Sequence, residues 1–180
     1  MKQRLVRSLD DLVTLEQAVL ASAQASLSKL QDLLGRDGGL SALAALKFGE
    51  AGCDPLDSSR SLNLVEQLNQ SFTYLASIAA TAWLFEHHPD NAPFILNLGT
   101  APGSDIVSQD GTIAAETFAA THPGSNRKLE KDVAKVRVMD AVHKYVFFLS
   151  PVNAKRVDFD GVKVVRLSHD CLRGIAREDV

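Results

Sequence analysis

A chain of 180 residues with 46% hydrophobic and 23% charged residues, 11 Gly and 6 Pro has the composition of a globular protein, which excludes collagen-like, low-complexity and disordered classes. Its two cysteines, Cys53 and Cys171, form neither a disulfide framework nor a CxxC pair, so a cysteine-rich zinc site is excluded and a reducing cytoplasm is the expected setting. The net charge of −3 hides an asymmetry: residues 1–123 carry 7 Lys and Arg against 14 Asp and Glu, while residues 124–177 carry 12 against 6. The basic part is a candidate nucleic-acid surface or, equally, a solvated face that balances the acidic part.

The first residues, MKQRLVRSLDDL, carry charge throughout and lack the apolar core of a secretory signal. From Ser8 to about Leu34, Leu9, Leu12, Val13, Val19, Leu30, Leu33 and Leu34 recur at helical spacing among many Ala and Gln, which predicts one long helix or two short ones. Gly38 and Gly39 stop that pattern, and a short apolar run from Leu40 to Phe48 leads into the turn-rich stretch 49–61. Residues 1–60 thus read as an N-terminal helical extension to a core over 61–180. Val65, Leu68, Phe72, Leu75, Ala79 and Ala82 then step by three and four, predicting a helix from about Leu62 to His87 that ends before Pro89. Its uncharged stretch from Leu68 to Phe85 carries Asn69, Gln70, Ser71, Thr73, Ser77 and Thr81, too polar for hydrocarbon, so no membrane span is expected.

Phe94–Leu98, Asp105–Ser108 and Thr112–Ala120 read as three consecutive strands, the last two joined through the Asp110-Gly111 turn. Ser125 is placed to cap a second helix with an apolar face of Leu129, Val133 and Val136. Tyr145–Leu149, an unbroken apolar run, predicts a central strand covered on both faces. An edge hairpin follows around Asp160-Gly161, from Val157 to Leu167, and His169–Arg177 is placed to form a closing helix. The order is α, β, β, β, α, β with additions at both ends: an α/β protein.

Asp105 and Glu116 lie on neighbouring predicted strands, where the turn brings two carboxylates together among Val107, Ala114 and Ala115. Such a pair must be hydrogen-bonded, protonated or bound to a cation. Magnesium (or manganese), which takes oxygen ligands and is often held by one or two carboxylates plus a phosphate, is the natural candidate, and would activate water against a phosphodiester. Glu66, off the apolar stripe of the first helix, is a candidate third acid, or alternatively half of a capping box with Asn63. A cation beside the metal would orient the attacking water, and Phe118, two residues after Glu116, cannot supply it. Lys128, Lys131 and Lys135 share a face of the next helix, Lys128 being nearest the strand end, and the same stripe is placed to track a phosphate backbone or simply to face water. His122, just after the third strand, is a candidate base or phosphate contact. His87-His88 reads as a favourable helix terminus rather than a metal site, Gly99–Gly103 lacks the GK[ST] of a phosphate loop, and no GxSxG elbow occurs.

This order of elements, with NLVEQLNQ on the first helix, GSDI on the second strand, AAETFA on the third and SNRKLEKD opening the second helix, resembles the PD-(D/E)XK nuclease superfamily over roughly residues 62–149. The resemblance implies a restriction-endonuclease-like αβββαβ core, a mixed sheet between helices, in which Asp105 and Glu116 bind magnesium, Glu66 assists, and DNA is the substrate. The family's lysine falls at Phe118; relocation to the following helix would assign that role to Lys128 or Lys131. The alternative is a member that has kept the fold as a binding or regulatory module, dimerising or meeting a protein partner through the N-terminal helices.

Overall fold

A computed structural model describes residues 2–36, 38–99, 103–154 and 158–167. A seven-stranded mixed sheet forms the centre. In chain order the elements are β1 (Lys2–Val6), α1 (Leu9–Arg36), α2 (Gly39–Phe48), β2 (Gly52–Asp54), β3 (Asp57–Leu62), α3 (Leu64–His87), β4 (Phe94–Leu98), β5 (Ile106–Ser108), β6 (Ile113–Ala119), α4 (Lys128–Arg137), β7 (His143–Leu149), β8 (Asp158–Phe159) and β9 (Val162–Leu167). The sheet runs β1-β4-β5-β6-β7-β9-β8, with β2 and β3 as a separate hairpin. β1, β4, β5 and β6 pair antiparallel, β6 pairs parallel with β7 and β7 with β9. The expected mixed α/β class is present, and α3, β4, β5, β6, α4 and β7 follow in the predicted order.

The parallel register Glu116↔Val146, Thr117↔Phe147 and Phe118↔Phe148 sorts side chains to two faces, because successive residues of a strand alternate. On one face Tyr145, Phe147, Leu149 and Ala115 pack with Tyr74, Ile78 and Leu84 of α3. On the other, Val146, Phe148, Ala114 and Phe118 pack with Leu129, Val133 and Val136 of α4. β7 is therefore the central, doubly covered strand that its composition predicts.

The extension expected over residues 1–60 contains α1 and α2, but it starts with a strand of the main sheet: β1 pairs with β4 from Lys2↔Leu98 to Val6↔Phe94. Val6, Leu12 and Val19 are buried in the same cluster as α3, so these residues are part of one core. α3 also turns a different side inward than its apolar stripe suggests. Leu68 is 56% exposed and Val65 and Phe72 are both more than a third exposed, while Gln67 and Ser71 are buried. The reason is hydrogen bonding: the Gln67 side chain accepts from Cys53 N at 2.9 Å and donates to Ser22 Oγ at 2.9 Å, tying α3 to β2 and α1, so its polar group is satisfied in the interior. Ser125 does not cap α4; residues 125–127 form a 3-10 turn without a side-chain cap, and α4 begins at Lys128 after a left-handed Arg127 with φ 55°. Asp160 and Gly161 make the predicted tight turn between β8 and β9, both at positive φ. Val157 and the helix expected over 169–177 lie outside the described residues. Among the described residues, no helix is long and apolar enough to cross a membrane.

Glu16 of α1 is 0% exposed, and among the described residues neither carboxylate oxygen has a hydrogen-bond partner. Burial pushes its carboxyl above the ordinary value. Glu16→Met, which fills similar volume with apolar atoms, is expected to stabilise the fold by about 1–3 kcal/mol at pH 7, with a smaller gain at pH 4, where the carboxyl is protonated. Urea denaturation at the two pH values measures this; a loss of stability would mean that the carboxylate contributes a favourable contact.

Candidate active site on the α4 face of the sheet

Asp105 stands just before β5, whose pairing with β6 ends at Ile106↔Ala115. Its backbone carbonyl accepts Asn97 N at 2.8 Å, and its side chain takes over where the ladder stops. Asp105 Oδ2 accepts the Thr117 N–H at 2.8 Å and the Thr117 hydroxyl at 3.2 Å. The carboxylate thus satisfies a strand donor that would otherwise need a carbonyl, which holds it at the point where β5 and β6 part. The Thr117 hydroxyl is also 2.7 Å from Ser77 Oγ of α3.

Glu116, one residue earlier, points the other way, toward α4. It is 2% exposed. Its Oε2 accepts from Lys135 Nζ at 2.7 Å, and its Oε1 is buried without a partner among the described residues. Burial, then the nearby negative charge of Asp105, pushes the Glu116 carboxyl up to about 7, against the opposing hydrogen bond and charge of Lys135. Burial alone would lower the Lys135 ammonium, but the hydrogen bond and charge of Glu116, then the charges of Asp105 and Asp132, outweigh it and leave its pKa raised.

A third carboxylate joins this pair. Asp132 is 4% exposed; its Oδ1 accepts from Lys128 Nζ at 2.7 Å, while its Oδ2 is buried without a partner. Its pKa is raised, first by burial and against the hydrogen bond and charge of Lys128. Lys128 Nζ also lies 5.9 Å over the Phe118 ring, a cation–π distance. Asp105, Glu116 and Asp132 with Lys128 and Lys135 therefore form one electrostatically coupled group with three negative and two positive charges when fully ionised. Two further buried atoms without partners, Asn97 Oδ1 and Ser104 Oγ, belong to residues beside Asp105.

The sequence-derived candidates divide clearly. Asp105 and Glu116 are brought together. Lys135, placed by sequence among the nucleic-acid contacts, is the ammonium on Glu116, and Lys128, placed by sequence in the catalytic role, is on Asp132 instead. Glu66 is not brought in: its backbone N–H is capped by Asn63 Oδ1 at 2.8 Å, and it lies exposed eleven residues, about three turns and 16 Å of helix, before the Ser77 that meets Thr117. Lys131 is exposed on the outer side of α4. His122 is exposed in the turn after β6, where its Nδ1 accepts Gly124 N at 3.1 Å. Asp132 escaped the motif reading, yet Leu129, Asp132, Val133 and Val136 have i, i+3, i+4, i+7 spacing, which places a carboxylate on the apolar face of α4 and is the signal that finds it.

Two carboxylates on adjacent strands, one with an unpartnered buried oxygen, are an oxygen donor set suited to magnesium or manganese, which retain waters and share ligands with substrate phosphate. Among the described residues no group of three or more His, Cys, Asp and Glu is gathered closely enough to hold a metal ion by itself. A separate cleft of about 370 Å³ lies on the α3 side, between Leu68, Phe72, Ala119 and Leu149; it does not contain the carboxylates. No protein-family model, curated protein or solved structure matches the chain.

Proposed function

We propose that this protein is a magnesium- or manganese-dependent nuclease of the PD-(D/E)XK type acting on DNA in the cytoplasm, with Asp105 and Glu116 as the metal-holding carboxylates. The observation that carries the reading is Glu116: a buried carboxylate beside Asp105, with one oxygen on an ammonium and the other unpartnered. The order of elements and the antiparallel-to-parallel change of the sheet at β6 support the same reading. A bound divalent ion would supply an activated water and charge neutralisation at the phosphodiester. Lys135, reaching Glu116 from the following helix, takes the place of the lysine that Phe118 does not supply and balances charge developing at the phosphodiester. Lys131, with His122 at the end of β6, contacts flanking phosphates, Lys128 is held on Asp132, and Glu66 is left as a helix-start residue.

A second reading, a catalytically silent binding module that dimerises through its N-terminal helices, draws on two observations. Phe118, 3% exposed and stacked on Phe148 at 5.9 Å, is built into the core. Leu20, Leu27 and Leu34 of α1 are each about half exposed at seven-residue spacing. Incubation with plasmid and linear DNA in magnesium or manganese decides between the readings. Cleavage by the native chain is expected, with a loss of roughly 100-fold or more in Asp105→Ala and in Glu116→Ala. Cleavage that persists in both variants would remove the site, and absence of both cleavage and calorimetric cation binding would leave the module.

A further inference from the structure

We propose that Lys135 has two stations and that Asp132 is the second: when a divalent cation settles against Asp105 and Glu116, the Lys135 ammonium moves from Glu116 Oε2 to Asp132 Oδ2. This inference rests on the metal-holding role proposed for Asp105 and Glu116.

Two buried carboxylates in one coupled group each keep one oxygen on a lysine and one oxygen with no partner among the described residues. A buried carboxylate oxygen without a partner is costly, so the spare atoms on Glu116 and Asp132 need an explanation. A cation on Glu116 accounts for the first. It also places a second positive centre on a buried carboxylate that already holds the half-exposed Lys135 ammonium at 2.7 Å, and like charges on one carboxylate repel. Lys135 must then withdraw. Its flexible four-carbon stem permits this, and Asp132, three residues earlier on α4, is a helix-surface neighbour whose carboxylate already acts on the Lys135 charge. The spare oxygen of Asp132 accounts for where the ammonium goes. Lys128, held by the other Asp132 oxygen over Phe118, stays in place. Asp132 is thus a positioning residue: it stabilises the cation-loaded arrangement without touching the cation.

Calorimetric titration of the purified full chain with magnesium alone, without DNA, tests this. Asp132→Asn is expected to weaken magnesium binding about tenfold. Lys128→Met breaks the same ion pair but keeps the Asp132 carboxylate, and is expected to bind like the native chain. At saturating magnesium, NMR of the Lys135 side chain should show the same shift in the native chain and in Lys128→Met and a different one in Asp132→Asn, where the second station is missing. Equal affinity in Asp132→Asn and the native chain overturns the two-station role while leaving the metal site standing, as does a loss in Lys128→Met as large as that in Asp132→Asn. A native chain that binds no magnesium overturns both. If Asp132→Asn does not fold, Lys135→Gln gives the reading: with no ammonium to displace, magnesium binding several-fold tighter than native is expected, and weaker binding overturns the proposal.

Discussion

Glu116→Gln is expected to stabilise the protein at pH 8 by about 3 kcal/mol and to abolish magnesium binding. The Glu116 carboxyl rises from its ordinary 4.5 to about 7 in the fold, chiefly through burial, a difference worth about 1.4 kcal/mol per pH unit. Because the folded value is the higher one, the folded state keeps a proton that the unfolded chain releases between pH 4.5 and 7. The stability associated with this group is therefore full below pH 4.5, falls as pH rises through that window and stays low above 7. Glutamine has the shape of the protonated acid and can still accept from Lys135, so the variant is expected to lack this decline. Denaturation at pH 5 and pH 8 measures it; parallel pH dependences in the two proteins would show that Glu116 is not the group responsible. Under the metal-holding role proposed for it, the same residue would cost stability and supply the negative charge for cation binding, a common trade at functional sites.

Phe147→Ala is expected to cost 3–5 kcal/mol, about the range for a large aromatic deleted from a packed core. Phe147 is 0% exposed on the central strand, with its ring centroid 5.3 Å from Trp83 and 5.4 Å from Tyr145. Trp83 is the sole tryptophan, so its fluorescence follows unfolding at the site of the change. Phe48→Ala makes the control: at 79% exposure its removal is expected to change stability by no more than about 0.5 kcal/mol. A similar cost at both positions would mean that Phe147 is not the packing centre that its burial implies.

Periodicity located the long helix, the three antiparallel strands, the apolar central strand and the last hairpin, because each has either a strong hydrophobic repeat or a turn dipeptide beside it. It missed β1, where Lys2, Gln3 and Arg4 precede only two apolar residues and no turn signal marks the start; that strand is specified by its pairing with β4, about ninety residues away in the chain. It also missed β2 and β3, whose Asp57-Ser-Ser-Arg-Ser-Leu62 has almost no apolar content. There the buried Asp54 makes the connection, accepting from Tyr74 Oη and Arg60 Nη1, each at 3.1 Å.

The carboxylate pair was legible because strand alternation and a short turn leave few places for two acids to lie. The ammonium was not. Counting from Ser125 as the start of the helix makes Lys128 the residue nearest the strand, but the left-handed Arg127 delays the helix to Lys128. Lys135, two turns along, meets Glu116 instead. Gln67 and Ser71 show the same limit on α3, since a polar residue counts against burial in any pattern until its partner on another element is known.

Asp105 is fixed from behind. Its Oδ2 is occupied by the amide and hydroxyl of Thr117, and that hydroxyl in turn meets Ser77 on the far side of the sheet. The long helix contributes no charged group to this cluster, yet through Ser77 it meets the hydroxyl that holds Asp105. A transplant of residues 105–137 into a foreign scaffold would carry the acids and ammonium groups of this cluster together with the Thr117 amide that holds Asp105, but it would leave behind Ser77, so the Thr117 hydroxyl would arrive without the group that steadies it.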